Sequence, residues 1–242
     1  PTPRATPSQV LRAWWGEVRS APVVFCWRQP FRSRRWPDHL PATAQGRRGL
    51  LLVHGFVCNR GLWNRWLQRL HEQGTPFVAV NLEPVFGSID EYVAIVEQGM
   101  QRLEQYTGQA PVIVAHSMGG LAVRRWLAEA GEAGDARVHH IVTIGSPHRG
   151  TWLARLALSV NMKEMQIDSH WQQLLGTREP AQRPARFTCF YGHCDNIVFP
   201  PSTATLRGAD NRHLPAVAHV RMVDHPAPWN EVQARLVNPV RS

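Results

Sequence analysis

The run Pro111-Val-Ile-Val-Ala-His-Ser-Met-Gly-Gly120 contains an apolar strand pattern that stops at a serine between small residues. A helical pattern, Leu121-Ala-Val-Arg-Arg-Trp-Leu127, follows at once. A chain that turns from strand to helix within about four residues strains its central residue, and it tolerates only small neighbours two positions to either side. Ala115 and Gly119 supply that space. The sequence therefore predicts that the Ser117 hydroxyl is raised above a sheet edge, where it can attack a carbonyl carbon.

Two backbone amides near this serine are candidates for binding the oxyanion that its attack would create. The Met118 N–H opens the following helix, where the helix dipole favours negative charge. His54-Gly55-Phe56 follows the apolar pattern Leu50-Leu-Leu-Val53, and a glycine there lets the Phe56 N–H approach a substrate carbonyl. Each motif also has a purely structural interpretation: a strand–turn–helix with a solvent-facing serine, and a plain turn after a strand.

A nucleophilic serine needs a base, and the base needs a carboxylate that orients it. Asp195 follows an apolar strand pattern in Tyr191-Gly-His-Cys-Asp-Asn-Ile-Val-Phe-Pro200, and His219 comes later in Ala216-Val-Ala-His-Val220. The chain order Ser, Asp, His is one of three that unrelated triad enzymes use. The alternatives are a turn aspartate bonded to its own backbone and a buried core histidine.

Other histidines and aspartates compete for these roles. His225 is the main rival as base, because it also lies between a strand pattern and the last helix. His116 is next to Ser117 on a tight turn, so its side chain is expected to point elsewhere, and His193 is expected to shape the Asp195 loop. The lesser candidates for the acid, none of which follows a core strand pattern, are Asp168, Asp210 and Asp224.

Short apolar strand patterns alternate with helical patterns along the chain. This order predicts an α/β fold with a mostly parallel central sheet and helices on both faces. Residues 49–242 are predicted to form this domain, and a helical and extended segment, residues 1–48, packs on it or precedes it. The predicted strands are Val23–Trp27, Leu50–His54, Pro76–Asn81, Pro111–His116, Val138–Ile144, Arg186–Tyr191 and Ala216–Val223.

Two segments have amphipathic patterns whose role the spacing leaves open. Residues 151–184 are predicted to form a helical insertion rich in Trp, Leu and Met. It is either a mobile lid that binds acyl chains or a fixed helix pair packed on the sheet. A helix over residues 8–18 places one apolar face, with Trp14 and Trp15, either on the domain or against lipid.

The composition favours a membrane surface over nucleic acid as an anionic partner. Lys and Arg number 27 against 18 acidic residues, and the net charge of +9 is spread along the chain. Spread charge without a nucleic-acid motif predicts general attraction to anionic surfaces, and hence possible peripheral membrane contact. The sequence starts at Pro1 without methionine, so secretion or anchoring through a removed upstream segment is one expectation. Location and oligomeric state stay unassigned.

The cysteines and histidines do not predict a metal or cofactor site. Cys189 and Cys194 are close enough along the chain to bridge around a turn, but two free thiols fit equally well. His139 and His140 alternate across a strand, so their rings point apart, and no zinc-type spacing accompanies them. The chain also lacks a glycine-rich phosphate loop, so no cofactor is expected.

Five motifs taken together resemble the α/β-hydrolase fold and, within it, the bacterial triacylglycerol lipases. The Ala-x-Ser-x-Gly turn resembles that of the small Bacillus-type lipases in particular. The resemblance spans about residues 50–237, and it departs from the smallest lipases in the helical N-terminal 48 residues and in the longer 151–184 insertion. The motifs are His54-Gly-Phe56, Ala115-His-Ser-Met-Gly-Gly120, Ile144-Gly-Ser-Pro-His-Arg-Gly-Thr151, Asp195-Asn-Ile-Val-Phe-Pro200 and Ala218-His219.

This resemblance implies Ser117 as nucleophile, Asp195 as acid and His219 as base, with the Phe56 and Met118 amides as oxyanion donors. The sequence is therefore predicted to encode a serine carboxylic ester hydrolase acting on apolar acyl or lipid esters through an acyl-enzyme. Two other functions remain open. One is an acyltransferase or thioesterase with the same triad, and the other is a non-catalytic hydrolase-fold protein that binds a membrane surface.

Overall fold

The computed structural model describes residues 3–237, and a six-stranded parallel sheet forms its centre. The strand order is β2-β1-β3-β4-β5-β6, and every neighbouring pair is parallel. The prediction of an α/β fold with a mostly parallel sheet is thus confirmed. The strands are β1 Leu50–Val53, β2 Phe77–Ala79, β3 Val112–His116, β4 His140–Ile144, β5 Phe187–Tyr191 and β6 Asp210–His213.

Helices cover both faces of this sheet, as the alternating pattern predicts. A capping box opens the 3₁₀ turn that leads into the fourth helix: the Ser88 hydroxyl accepts a hydrogen bond from the Asp90 amide, and the Glu91 carboxylate accepts one from the Ser88 amide. The α-helices are α1 Pro7–Pro22, α2 Gln29–Arg32, α3 Asn64–Glu72, α4 Val93–Thr107, α5 Gly119–Ala136, α6 Val160–Glu164, α7 His170–Thr177 and α8 Pro226–Leu236. Shorter 3₁₀ turns include Ile89–Tyr92, Trp152–Leu156 and Val220–Asp224.

The sheet separates two hydrophobic cores because side chains alternate across each strand. Ile113 and Ala115 of β3 face the core that contains α4 and α5. Val112 and Val114 face the other core, which α3 and the C-terminal segment cover. His116, two positions after Val114, therefore points toward the C-terminal segment, and this direction matters for the site described below.

The predicted strand at Val23–Trp27 is wrong, because this stretch is a wide helical turn, Val23–Arg28, that continues α1. Its Gln29 N–H bonds to the carbonyl of Val24, five residues back. Extending an existing helix adds a hydrogen bond per residue without a new nucleation cost, which outweighs the strand preference of Val, Phe and Trp. Pro22, directly before the wide turn, lacks the N–H that an α-helical hydrogen bond would need.

The predicted strand at Ala216–Val223 is also wrong. Ala216 has a left-handed backbone with φ of 56°, and Val220–Asp224 forms a 3₁₀ turn. The sixth strand is Asp210–His213, at the edge of the sheet. An edge strand is paired on one side only and carries polar residues, so it lacks the apolar run by which buried strands are recognised.

Several polar contacts anchor the segment 151–184 to the domain. The Glu164 carboxylate accepts hydrogen bonds from the Ser88 hydroxyl at 2.6 Å and the Ile89 amide at 2.7 Å. Further along, Glu179 forms a bidentate pair with Arg124, whose side chain is buried. These contacts favour a fixed helix pair over a lid for the part of the segment from α6 onward.

The four cysteines are free thiols. Burial raises the pKa of Cys189 to about 11, so this thiol stays protonated and unreactive. No helix within residues 3–237 is long and apolar enough to span a bilayer. Within the same residues, no cluster of three or more His, Cys, Asp or Glu side chains has the arrangement of a metal site.

Two buried histidines, one in β4 and one in the loop after it, are neutral in the folded protein. Burial lowers the pKa of His140 to about 4, and its Nε2 lies 2.9 Å from the Thr188 hydroxyl. Burial, together with the charge of Arg124, lowers the pKa of His148 well below its usual range. Below about pH 6.5 the unfolded chain binds protons to both rings, whereas the folded chain resists doing so.

Acidification from about pH 6.5 toward 4 is therefore expected to lower the free energy of unfolding. Above 6.5 both states hold these histidines neutral; below it only the unfolded state gains protons, at a cost of up to about 1.4 kcal/mol per pH unit for each histidine. Urea unfolding at about pH 7, 6 and 5 measures the slope of the free energy of unfolding against pH. His140→Gln keeps a donor near Thr188 but cannot titrate, so its slope should be smaller. Equal slopes in the parent protein and the variant would contradict the assignment of a neutral His140 to the folded state.

Candidate active site

Ser117 lies at the sharp turn between β3 and α5, at the carboxyl edge of the sheet. Its φ is 53°, in the left-handed region that residues with a Cβ rarely adopt. The Ser117 N–H bonds to the carbonyl of Ile144 at 3.0 Å, which ties the turn to β4. Strain at a single residue that hydrogen bonds hold in place is typical of functional positions.

The turn is possible because the backbones of β1 and α5 come very close. A Cβ added at Gly119 would lie 2.5 Å from the His54 carbonyl oxygen and 2.7 Å from that of Val53. A Cβ at Gly55 would lie 2.6 Å from the Cβ of Ser117. Ala115, on the other side of the serine, is completely buried, so the space there accepts one methyl group.

Asp195 and His219 form a buried pair beside this turn. The His219 Nδ1 lies 3.0 Å from one carboxylate oxygen of Asp195, whose side chain is only 1% exposed. The other oxygen accepts hydrogen bonds from the amides of Ile197 at 2.8 Å and Val198 at 2.9 Å. Because an ionised carboxylate only accepts, Nδ1 carries the proton, and Nε2 of the neutral ring keeps its lone pair.

Gly145 provides the space in which this pair lies. Its φ is 58°, and a Cβ there would lie 3.1 Å from His219 Nδ1 and 3.3 Å from the facing Asp195 oxygen. Gly145 directly follows β4, so the pair is packed against the same sheet edge that carries Ser117. A side chain at this position would strain the backbone and crowd the imidazole at once.

The environment of His219 favours its charged form on balance. Burial opposes the charge, but the Asp195 carboxylate and, more weakly, Glu17 outweigh burial and raise the pKa of His219 above its usual range. A base with this property accepts a proton readily and holds it while an anion develops nearby.

Glu17, on the N-terminal helix α1, holds the backbone that follows His219. One carboxylate oxygen accepts from the Val220 amide and the other from the Arg221 amide, both at 3.1 Å. The His219 amide itself donates to the Asn196 side chain at 3.0 Å. Sequence reasoning missed Glu17 and Asn196. For Glu17 the available signal was its position as the only acidic residue before Asp38.

The expectation that His116 points away from the site is wrong. Its ring centroid lies 4.6 Å from that of His219, and its Nε2 lies 3.3 Å from the His219 carbonyl oxygen. The alternation of side chains along β3 directs His116 to the face that the C-terminal segment covers. Burial and the neighbouring His219 lower the pKa of His116 well below its usual range, so it supports His219 as a neutral ring.

The rival residues lie in other environments. His225 begins α8, where its Nδ1 accepts a hydrogen bond from the Ala227 amide at 3.2 Å.

The rival aspartates also have other partners or positions. Asp224 pairs with Arg65 at 2.8 Å. Asp210 pairs with Arg212 at 2.7 Å. Asp168 has a left-handed backbone with φ of 59°, in the loop before α7. The His193 ring packs at a tilt on that of His213, with ring centroids 4.5 Å apart, so His193 contributes to the loop near Asp195.

The two candidate oxyanion amides flank the serine, and His54 orients one of them. Within residues 3–237, neither the Phe56 nor the Met118 N–H has a hydrogen-bond partner. The Leu82 amide donates to His54 Nε2 at 3.0 Å, so His54 Nδ1 carries the proton that it shares with the Gly55 carbonyl at 2.9 Å. That carbonyl belongs to the same peptide plane as the Phe56 N–H. Burial lowers the pKa of His54 to about 4, so this arrangement persists at neutral pH.

A cavity of about 350 Å³ opens beside Ser117 and His219, and its other walls are mostly apolar. Phe56 lines it, whereas the side chain of Met118 is buried in the core. The N-terminal segment, the 151–184 segment and the Asp195 loop all contribute walls. The remaining lining residues are Glu17, Ala21, Phe25, Val57, Cys58, His116, Pro147, Thr151, Leu153, Ala154, Met162, Met165, Asn196, Ile197, Val198 and Val220.

Comparisons with known proteins agree with this architecture. A family model described as the alpha/beta hydrolase family matches residues 50–237. No curated protein sequence matches the chain.

Solved structures with the same fold include several lipases. The mature Bacillus licheniformis lipase BlEst2 superposes with a TM-score of 0.67 at 16% identity, over 84% of this chain and 96% of that one. Aspergillus fumigatus lipase B superposes with a TM-score of 0.68 at 19% identity, over 85% of this chain and 57% of that one. The Paleococcus ferrophilus monoacylglycerol lipase superposes with a TM-score of 0.58 at 15% identity, over 82% of this chain and 96% of that one. At these identities the likeness establishes the fold.

The Gly119→Ala variant is expected to lose stability, because its added methyl group meets two backbone carbonyls that cannot move aside. Overpacking of this kind costs about 1–3 kcal/mol. Gly176→Ala is a matched control: Gly176 is an exposed glycine of α7 with nothing near its added Cβ, so helix propensity predicts unchanged or slightly higher stability. Urea unfolding measures both, and a Gly119→Ala protein as stable as the parent would contradict the close approach.

Proposed function

The chain belongs to the alpha/beta hydrolase family, and on this premise we propose that it is a serine carboxylic ester hydrolase. One observation carries the proposal. Ser117, in a strained turn, and His219, oriented by the buried Asp195, line the same cavity. A hydroxyl, an oriented imidazole and a carboxylate are the groups that acyl transfer through an acyl-enzyme requires.

In the proposed reaction, the Ser117 oxygen attacks the ester carbonyl while His219 Nε2 takes the hydroxyl proton. The imidazolium then donates this proton to the departing alcohol, and the acyl group stays on Ser117. Water then attacks the acyl carbon while His219 removes one of its protons. When the second tetrahedral intermediate collapses, the bond to the Ser117 oxygen breaks, the imidazolium returns the proton to that oxygen, and the acid is released. Asp195 does not itself become protonated; it orients the ring and stabilises its charge.

The oxyanion of each intermediate is proposed to bind the N–H groups of Phe56 and Met118. Neither amide has another partner within the described residues, so both are available to a ligand. Donors that are already oriented before the reaction cost no reorganisation when charge develops. His54 is proposed to act as a positioning residue, because it holds the peptide plane that carries the Phe56 N–H.

Apolar acyl esters are the proposed substrates. The cavity has the size of a small-molecule site, and Phe25, Leu153 and Met162 line it together with Met165 and Val198. The unbranched, polarisable side chains of methionine adapt to acyl chains of different shape. The finer assignment to lipid esters such as acylglycerols rests on this apolar lining.

The parent protein is expected to release p-nitrophenol from p-nitrophenyl esters, with Ser117→Ala and His219→Ala each at least about 1,000-fold slower in kcat. His225→Ala is the matched control, because His225 begins α8 and does not line the cavity. It should keep the parent rate. Full activity in His219→Ala with loss in His225→Ala would reverse the assignment of the base.

The same assay separates the competing functions. Product that shifts to a new ester or amide when alcohol or amine is added indicates acyl transfer, and faster cleavage of the matching thioester indicates a thioesterase. A parent protein that is inert with every acyl length and resists a fluorophosphonate at Ser117 would contradict an enzymatic role.

His54 variants test the proposed orientation of the oxyanion donor. Glutamine at position 54 can replace Nε2 as acceptor for Leu82 but loses the bond to Gly55, whereas asparagine can replace Nδ1 as donor to Gly55 but loses the bond to Leu82. We expect His54→Gln to lower kcat by about 10- to 100-fold with little change in KM, and His54→Asn to lower it less. Equal losses in both variants would indicate that His54 only supports the fold.

A further inference from the structure

The N-terminal helix α1 packs on the domain with its polar face and turns its apolar face to the solvent. Ala13 is buried, a Cβ at Gly16 would lie 3.6 Å from the Arg221 side chain, and Glu17 bonds to the backbone after His219. These small or polar residues form the inner face. A surface helix normally does the reverse and buries its apolar stripe.

The outer face of α1 is a continuous apolar stripe, which we call the arm face. Its members recur at helical spacing and are 45% to 64% exposed. The stripe includes two adjacent tryptophans, whose ring centroids lie 6.0 Å apart. Exposed apolar side chains that form one contiguous patch, unlike singly scattered ones, mark a binding surface. The arm face consists of Val10, Leu11, Trp14, Trp15 and Val18.

The arm face is continuous with exposed apolar residues at the cavity mouth. Beyond α1, the exposed side chains of Val23, Trp27 and Phe31 extend the apolar surface. Phe25, also exposed, lines the cavity together with Ala21 of α1. The element that presents the stripe therefore also forms one wall of the site.

Charge around the arm face is positive. Residues 1–37 contain seven arginines and a single acidic residue, Glu17. Glu17 bonds to backbone amides on the inner face, so it does not offset the outward charge. Six of the arginines are exposed, namely Arg4, Arg12, Arg19, Arg32, Arg34 and Arg35.

We propose that the arm face docks the protein on the surface of an anionic lipid bilayer, with the cavity mouth toward the lipid. Tryptophan prefers the interface, where its ring meets hydrocarbon and its N–H meets water. Each arginine near an anionic surface adds about fivefold in affinity. A second copy of the chain fits less well, because a symmetric contact would bring the arginines of both copies together.

Vesicle flotation tests the docking without using activity. The full chain carrying Ser117→Ala is mixed with vesicles of phosphatidylcholine alone, or with about 30 mol% phosphatidylglycerol. It should float with the anionic vesicles, float little with the neutral ones, and detach as salt rises. Brominated acyl chains in the anionic vesicles should quench its tryptophan emission, which places the indoles at the acyl boundary. Because Ser117→Ala removes the proposed nucleophile, loss of docking and loss of hydrolysis remain separate results.

Matched variants locate the docking surface. The double variant Trp14→Ser, Trp15→Ser should lower vesicle affinity at least about 10-fold. Tyr106→Ser is its control, because Tyr106 is 47% exposed near the end of α4, before β3 and thus at the opposite edge of the sheet. Arg19→Gln should weaken binding to anionic vesicles, whereas Arg207→Gln, exposed ahead of β6 at that opposite edge, should not.

Three results would overturn the proposal. The first is no flotation with either vesicle, and the second is unchanged flotation of the double tryptophan variant. The third is a dimer in sedimentation velocity that the double variant converts to monomer, which would assign the arm face to a second copy of the chain. Cooperative unfolding of the double variant at the parent's urea midpoint shows that its fold is intact. Quenching by brominated lipid in the protein that keeps Trp14 and Trp15 is a second measurement, which does not depend on the double variant.

Discussion

The close approach of the β1 end to the start of α5 is the constraint on which the site depends. At Gly119 the two backbones leave no room for a Cβ, since the nearest carbonyl oxygens would lie 2.5 Å and 2.7 Å away. This contact holds Ser117 in its left-handed conformation and brings the Phe56 and Met118 amides to the same sheet edge. If the backbones separated by even one methyl group, the serine could relax into the sheet or the helix.

His219 depends on a second set of contacts, which come from three separate parts of the chain. Asp195 binds its ring, Asn196 its amide, and His116 packs on its face, while Glu17 holds the two amides that follow. Only the Asp195 contact is the orienting bond that the proposed triad needs. The other contacts fix the backbone and limit the ring to one position. Packing of this kind keeps a side chain in a single rotamer, so its geometry is set before a ligand binds.

The sequence was sufficient for the fold class and for the neighbourhood of Ser117, because both depend on local patterns. Buried parallel strands are apolar on both faces, so β1 and β3 are visible as short apolar runs. The sequence was insufficient where context overrides propensity. Val23–Arg28 continues a helix that already exists, and β6 is a polar edge strand, so neither shows the pattern expected of it. The direction of His116 and the contact of Glu17 need the three-dimensional packing, which no local pattern contains.

The bonds from Glu17 to the amides of Val220 and Arg221 have a consequence for assembly, because they join positions 203 and 204 residues apart. Contacts between such distant parts of a chain form late, since the entropy of closing a long loop must be overcome first. During synthesis α1 leaves the ribosome long before the turn after His219 exists. The surroundings of His219 can therefore be completed only after the residues up to Arg221 have emerged, which keeps a shorter nascent chain from acquiring a finished cavity beside Ser117.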